Sequence, residues 1–231
     1  DQFNEKLDVE EIFLCEDISL KNQTIPKIFP GLLRNPDDIV LLQHSSGTTG
    51  LQKGVALSHW AVFQQLNEYS KAIRLNPQSD VIVSWLPLYH DMGLIACFLM
   101  PILMGVPLVI MSPFDWVRAP YRLFQSISSY KGTLCWLPNF AYNFCAKKIR
   151  DSQLEGVNLS SLRAVINCSE PVRYESHQEF LKKFKPYGFK ESAIAACYAM
   201  AENVFGVTQG GIDLPLLEDH INRNYFQIQR K

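Results

Sequence analysis

The sequence predicts an α/β fold in which a largely parallel sheet is flanked by helices. Short apolar runs such as Val81-Ile82-Val83-Ser84 and Ala164-Val165-Ile166-Asn167 read as strands buried on both faces. They alternate with amphipathic stretches long enough for helices, the pattern of a parallel sheet whose crossovers cover it. The polar, glycine-bearing segments fall at strand ends or just beyond them, where open α/β sheets bind ligands.

Taken in order, residues 38–42 and 55–57 are strand-like and are joined by a polar loop. Ser58 can cap a helix over 59–73, since a serine oxygen accepts a free amide of the first turn. A strand over 81–84 follows, and then residues 92–111 carry no charge. That length could span a bilayer. Gly93, Pro101, Gly105 and Pro107 interrupt it, however, and Pro107-Leu108-Val109-Ile110-Met111 reads as a strand after a Gly-Val-Pro turn. The expectation is a buried helix followed by a buried strand, with no transmembrane segment. Helices are expected over 118–130, 140–149 and 175–184, and extended chain over 134–136 and 164–167. The tail from 212 to 231 is more polar and carries no motif.

Composition narrows the classes. A chain of 231 residues that is 47% hydrophobic and 19% charged can bury a sizeable core in one or two domains. A net charge of −1 with scattered basic residues offers no footprint for nucleic acid. The six cysteines form no C-x-x-C pair, and several sit in apolar runs, so they read as reduced core thiols of a cytoplasmic protein rather than zinc ligands. The first residues show no basic and apolar signal pattern.

The segment richest in chemistry is His44-Ser45-Ser46-Gly47-Thr48-Thr49-Gly50-Leu51-Gln52-Lys53-Gly54. Glycines let backbone N–H groups approach a polyphosphate, hydroxyls add donors, and Lys53 supplies countercharge. Ser45, Ser46, Gly47, Thr48, Thr49 and Gly50 are the candidate phosphate contacts. Walker spacing fails, because Gln52 stands where the second glycine belongs. A plain polar hairpin, with these residues as turn formers, is the competing reading.

This loop resembles the S-S-G-T-T-G-x-P-K-G signature of the adenylate-forming superfamily, with Gln52 in place of proline. Ser84-Trp85-Leu86-Pro87-Leu88-Tyr89-His90-Asp91-Met92-Gly93 resembles the Y-H-D-M-G segment of its fatty acyl-AMP ligase branch. Asn167-Cys168-Ser169-Glu170-Pro171-Val172 is similar to N-G-A-E-P-V, and Cys197-Tyr198-Ala199-Met200-Ala201-Glu202 to the Y-G-L-A-E segment. Together with Pro138-Asn139-Phe140-Ala141-Tyr142, the similarity runs from Asp38 to about Gly211.

The resemblance implies part of the large N-terminal domain of an adenylate-forming enzyme. On that basis 1–37 is a connecting segment, 38–211 the central part of the adenylation domain, and 212–231 a lead into further chain. The superfamily's T-G-D segment and C-terminal catalytic lysine are not found, so the chain is expected to be a fragment. The implied reaction is ATP-dependent conversion of a fatty acid to acyl-AMP, with Mg2+, followed by transfer to an acyl carrier protein or coenzyme A. By resemblance Lys53, His90 and Glu202 are the catalytic candidates, and Glu202 holds Mg2+. His90 lies at the carboxylate end of an acyl tunnel or is a structural hydrogen-bonder, and Asp91 is a helix cap. Ser169, Glu170, Pro171, Tyr198, Ala199 and Ala201 line the nucleotide pocket, with Tyr198 against adenine. Residues 92–99 and 136–140 are candidate tunnel walls.

Two departures matter. Cys168-Ser169 adds volume to a Gly-Ala pair, and Ala199 replaces a glycine, which is costly if the backbone there needs a positive φ. Alternatives are an acyl-CoA synthetase or synthetase loading domain, and a degenerate, non-catalytic module that binds nucleotide or lipid.

Overall fold

The computed structural model describes residues 33–44, 54–219 and 221–222. The chain divides into two compact units, Asp1–Asn35 and Pro36–Lys231, and every element below belongs to the second. Strands β1 (Ile39–His44) and β2 (Gly54–Ser58) pair antiparallel, with His44 opposite Gly54. The loop between them, with Ser45 to Gly50 and Lys53, lies outside the described residues. Helix α1 (His59–Ala72) starts at once, and the Ser58 hydroxyl accepts the Ala61 amide at 3.2 Å as its cap.

The main sheet has six strands. β3 (Ile82–Ser84), β4 (Leu108–Ile110), β5 (Leu134–Leu137), β6 (Ala164–Asn167), β7 (Ile194–Ala199) and β8 (Gly206–Gly210) lie in the order β4-β3-β5-β6-β7-β8. All neighbours run parallel except β7 and β8, which form an antiparallel edge hairpin. The expected parallel α/β architecture is thus present. β7 and β8 were not expected as strands: Ile194-Ala195-Ala196-Cys197 is poor in β-branched residues, and β8 is framed by glycines.

After β3 the chain enters a π-helical segment, Met92–Leu99, which continues as α2 (Met100–Met104) and stops at Gly105 in the left-handed region, φ 69°. Sequence led to an ordinary helix here, and among the described residues no helix is long and apolar enough to cross a membrane. Gly93 is required by packing: a Cβ there would lie 2.2 Å from the Pro87 carbonyl oxygen. A helix not expected from sequence, α3 (Pro113–Arg118), precedes the one expected over 118–130, which is α4 (Tyr121–Tyr130). The break between them falls at Ala119, whose φ −142° and ψ 68° reflect the steric demand of Pro120 on the residue before it.

Helices α5 (Asn139–Lys148) and α6 (Tyr174–Phe184) cover one sheet face, and α1 the other. Strand alternation shows it. Asn167 turns its side chain to Asn139 of α5 and His177 of α6, while Trp136, of the opposite parity, donates its indole N–H to Tyr69 of α1 at 3.0 Å. Stacked rings fill the α4–α6 layer, with Phe124 and Phe184 centroids 4.2 Å apart.

The N-terminal ends of β3, β5 and β6 meet at Asp80, which is 2% exposed. Arg163 donates Nε to Oδ1 at 2.8 Å and Nη2 to Oδ2 at 2.7 Å; the Thr133 hydroxyl and the Asn76 amide complete the carboxylate. Thr133 Oγ1 in turn accepts the Val81 amide at 3.0 Å. Burial alone would push the Asp80 carboxyl up, but the Arg163 hydrogen bonds, with those from Asn76 and Thr133, hold it below the usual carboxylate range.

Asp80→Asn leaves the Arg163 guanidinium with only its longer ion pair to Asp213, 3.7 Å, and should cost about 3 kcal/mol in urea unfolding. Because the folded carboxyl titrates below its unfolded value, its stabilisation is complete above about pH 4 and is lost as pH falls through the folded value. The acid limb of the wild-type stability curve should therefore flatten in Asp80→Asn; an unchanged limb and midpoint would contradict the clamp.

Candidate active site

The segments singled out from sequence leave the C-terminal ends of β3, β5, β6 and β7 and gather at one edge of the sheet. Parallel strands point all their C-terminal ends the same way, so four distant sequence segments become neighbours there.

His90 and Asp91 follow β3. Asp91 Oδ1 accepts the Met92 amide at 2.7 Å, capping the π-helical segment as expected, and lies 2.7 Å from His90 Nδ1. That hydrogen bond to Asp91 raises the His90 imidazole above its ordinary value, against the opposing effect of burial. His90 keeps an exposed ring edge, with 46% of its side chain open.

After β6, Cys168 continues the sheet by donating its amide to the Leu137 carbonyl at 3.2 Å. Ser169 then takes φ 71°, and its hydroxyl points to Met92 Sδ at 3.7 Å. The positive φ is here and not at Ala199, which pairs with Gly206 just past a register irregularity between Tyr198 and Ala199. Glu170 does not simply face a pocket. Its Oε2 accepts the Phe140 amide at 2.9 Å, satisfying a free donor in the first turn of α5 where Pro138 offers no side-chain cap. Pro171 and Val172 are exposed beside it.

A buried polar network, not expected from sequence, holds this segment from below. Asn167 Nδ2 donates to Asn139 Oδ1 at 3.1 Å and meets His177 Nε2 at 2.9 Å; Asn139 Oδ1 also accepts the Arg173 amide at 3.1 Å. Ser176 Oγ receives both Asn139 and Asn143. Burial pushes His177 down to about 4, so it is neutral and accepts from Asn167. Asn139 and Asn167 lay in recognised segments; His177, ten residues after Asn167 on α6, carried no signal.

Tyr198 ends β7 with 59% of its surface exposed, an open aromatic face on the sheet edge. Ala201 is buried and Glu202 exposed in a short turn, Ala201–Asn203, whose tightness is set by the Val204 amide donating to the Ala201 carbonyl at 2.9 Å. Glu202 and Asn203 line a cavity of about 290 Å³ with Leu57, Ala61, Gln65 and Glu68. Gln65 Oε1 is buried there and unpartnered among the described residues. Glu68 Oε1 is already paired with Lys71 Nζ at 2.7 Å, and among the described residues no group of three or more His, Cys, Asp or Glu side chains is gathered for a metal, so Glu202 is the carboxylate left to meet a hard cation that keeps its other positions for waters and phosphate oxygens.

Of the proposed tunnel walls, Trp136 and Leu137 belong to the closed core, at 0% and 1% exposure. Phe140 instead reaches the surface and edges onto a stacked pair, Trp85 and Trp116, with centroids 3.6 Å apart and planes at 2°. The structure therefore brings together His90, Ser169, Glu170, Pro171, Tyr198 and Ala199 at one edge, with Glu202 at the cavity and Ala201 buried in the turn before it.

The chain matches the AMP-binding enzyme family over residues 9–224. It is 35% identical over 175 residues to TtuA, a medium-chain-fatty-acid acyl-carrier-protein ligase of Teredinibacter turnerae, covering 76% of this chain and 27% of that protein. It is 35% identical over 168 residues to JamA, of the same description, from Moorena producens, covering 73% and 28%. A crystal structure of fatty acyl-adenylate ligase from L. pneumophila, in complex with acyl adenylate and pyrophosphate, superposes with a TM-score of 0.75 at 40% identity, covering 78% of this chain and 32% of that one. The chain thus spans about a third or less of the length of these relatives.

Ser169→Gly should relieve the left-handed backbone and stabilise the protein by about 1 kcal/mol, read from urea midpoints; destabilisation would mean the Ser169 side chain outweighs the strain. His177, neutral in the fold, has a folded value below its unfolded one, so its stabilisation is present above about pH 6.5 and is lost as pH falls toward about 4. His177→Gln should remove that dependence; a persistent slope over pH 6.5 to 4 would show that another group supplies it.

Proposed function

The chain belongs to the AMP-binding enzyme family, and from that premise we propose that it forms the nucleotide-binding part of a ligase that activates a fatty acid as acyl-AMP. The observation that carries the proposal is the gathering of Ser169–Pro171, Tyr198 and the His90–Asp91 pair at one sheet edge, beside the cavity at Glu202. Residues 38–211 act in this reading as the central part of an adenylation domain within a longer protein.

In the reaction a carboxylate oxygen attacks the α-phosphorus of ATP; the new O–P bond forms as the bond to pyrophosphate breaks. Two anions have to meet, so the protein's part is positioning and neutralisation of charge. The loop Ser45 to Gly50 supplies donors to the phosphates and Lys53 a positive charge. Tyr198 covers one face of the adenine, with Ser169, Pro171 and Ala199 around it. Glu170 contributes by fixing its own segment to α5. Glu202 would hold Mg2+, which when bound supplies countercharge to the phosphates. His90, kept protonated more readily by Asp91, stands where it can hydrogen-bond the fatty acid carboxylate. The alkyl chain runs over Phe140 and the half-buried Leu94 and Phe98 of the π-helical segment.

The names of TtuA and JamA support an acyl carrier protein as acceptor. Five described cysteines are buried free thiols, the state a reducing cytoplasm maintains.

Fatty-acid-dependent ATP–pyrophosphate exchange by the full-length protein tests the reading. Exchange is expected, with Lys53→Ala and Glu202→Gln each about 100-fold slower and Glu202→Gln needing more Mg2+. Absence of exchange across medium and long chains, with ATP still bound, would favour the non-catalytic module instead.

A further inference from the structure

Two thiols sit between the nucleotide segments. Asn167 of β6 is the register partner of Ala196 of β7, so the next residues, Cys168 and Cys197, are opposite one another on adjacent parallel strands. Both leave the face carrying Asn167 and turn to the α1 side, where Tyr69 is a neighbour of Cys197. Their thiols lie near enough to shift one another's titration. Neighbouring strands are about 4.8 Å apart, inside the about 4.4–6.8 Å Cα range that a disulfide requires. Cys168 is also where this chain departs from the glycine of the N-G-A-E-P-V segment.

We propose that Cys168 and Cys197 form an oxidation site, closed to a disulfide by peroxide, that switches off nucleotide binding. Cys197 is the attacking thiol. It is 6% exposed at the sheet edge while Cys168 is fully closed. The neighbouring Cys168 thiol lowers Cys197 from its ordinary value and so favours its thiolate, whereas the same coupling and burial push Cys168 up. The Cys197 thiolate attacks a peroxide oxygen: an S–O bond forms, the O–O bond breaks, and hydroxide leaves and takes up the thiol's proton as water. The Cys168 thiol then attacks the Cys197 sulfur: the S–S bond forms, the S–O bond breaks, and water leaves with the Cys168 proton. Two thiols lose two electrons, and one hydrogen peroxide becomes two waters.

Closing the sulfurs to about 2.05 Å draws together the strand ends that carry Ser169 and Tyr198. Ser169, already at φ 71°, has little freedom to absorb the shift. The effect on nucleotide rests on the proposed function above; the bridge itself does not.

The test is peptide mapping of the full-length protein after limiting hydrogen peroxide and alkylation, paired with ATP affinity before and after. A Cys168–Cys197 linked peptide, two hydrogens lighter and opened by dithiothreitol, is expected, with ATP affinity falling at least tenfold and returning on reduction. Cys168→Ser should give no linked peptide, and Cys197 should instead be oxidised alone. Full alkylation of both thiols after peroxide overturns the oxidation site. A bridge that leaves ATP affinity unchanged overturns the switch. A reduced protein that binds no ATP overturns the nucleotide reading and the switch with it, while the mapping still decides the bridge.

Discussion

The Asp80–Arg163 ion pair is the constraint on which the rest of the site depends. It joins residues 83 apart in sequence at the N-terminal ends of β3 and β6, and Thr133 ties β5 to the same carboxylate. Three strands held in register at one end deliver their C-terminal ends in register at the other. A slip of one residue in any of them would turn its buried side chains to the wrong face. The geometry is bidentate and every carboxylate oxygen is hydrogen-bonded, the condition under which a buried ion pair repays its desolvation.

At the opposite end the strand ends are not left as free loops. Glu170 closes the α5 N-terminus, the Asn139–Asn167–His177 network ties β6 to α5 and α6, and Asp91 closes the π-helical segment. Each uses a polar side chain to satisfy a backbone or amide group that burial would otherwise penalise. The exposed groups at this edge, Tyr198, Ser169 and the His90 ring, are therefore mounted on a rigid base. Gly206 belongs to the same base: a Cβ there would meet the Tyr69 ring at 2.7 Å, and Tyr69 anchors α1 through Trp136 and Gln209.

Sequence made the sheet and most helices legible, because buried strands and amphipathic helices announce themselves by period. Ser58 at the α1 start and Asp91 at the π-helical start were readable for the same reason: short oxygens sit where amides need acceptors. β7 and β8 were not, since Ala195, Ala196 and two glycines give no strand signal, and their pairing is imposed by neighbours. The break at Ala119 was written in Pro120 but masked by helix formers on both sides. The positive φ at Ser169 and the roles of Asp80, Arg163 and His177 were invisible, because nothing local marks a contact made across tens of residues. The candidate site residues were recognised as segments, yet the inward turn of Glu170 toward α5 emerged only in three dimensions.

The central claim is that adenine binds at the edge formed by Ser169–Pro171 and Tyr198. A crystal structure of the full-length protein with a non-hydrolysable fatty acyl-adenylate analogue tests it most directly. The account predicts the adenine ring against Tyr198 and beside Ser169 and Pro171, with the phosphate mimic toward Lys53. An adenine bound elsewhere, with that edge unoccupied, would contradict it.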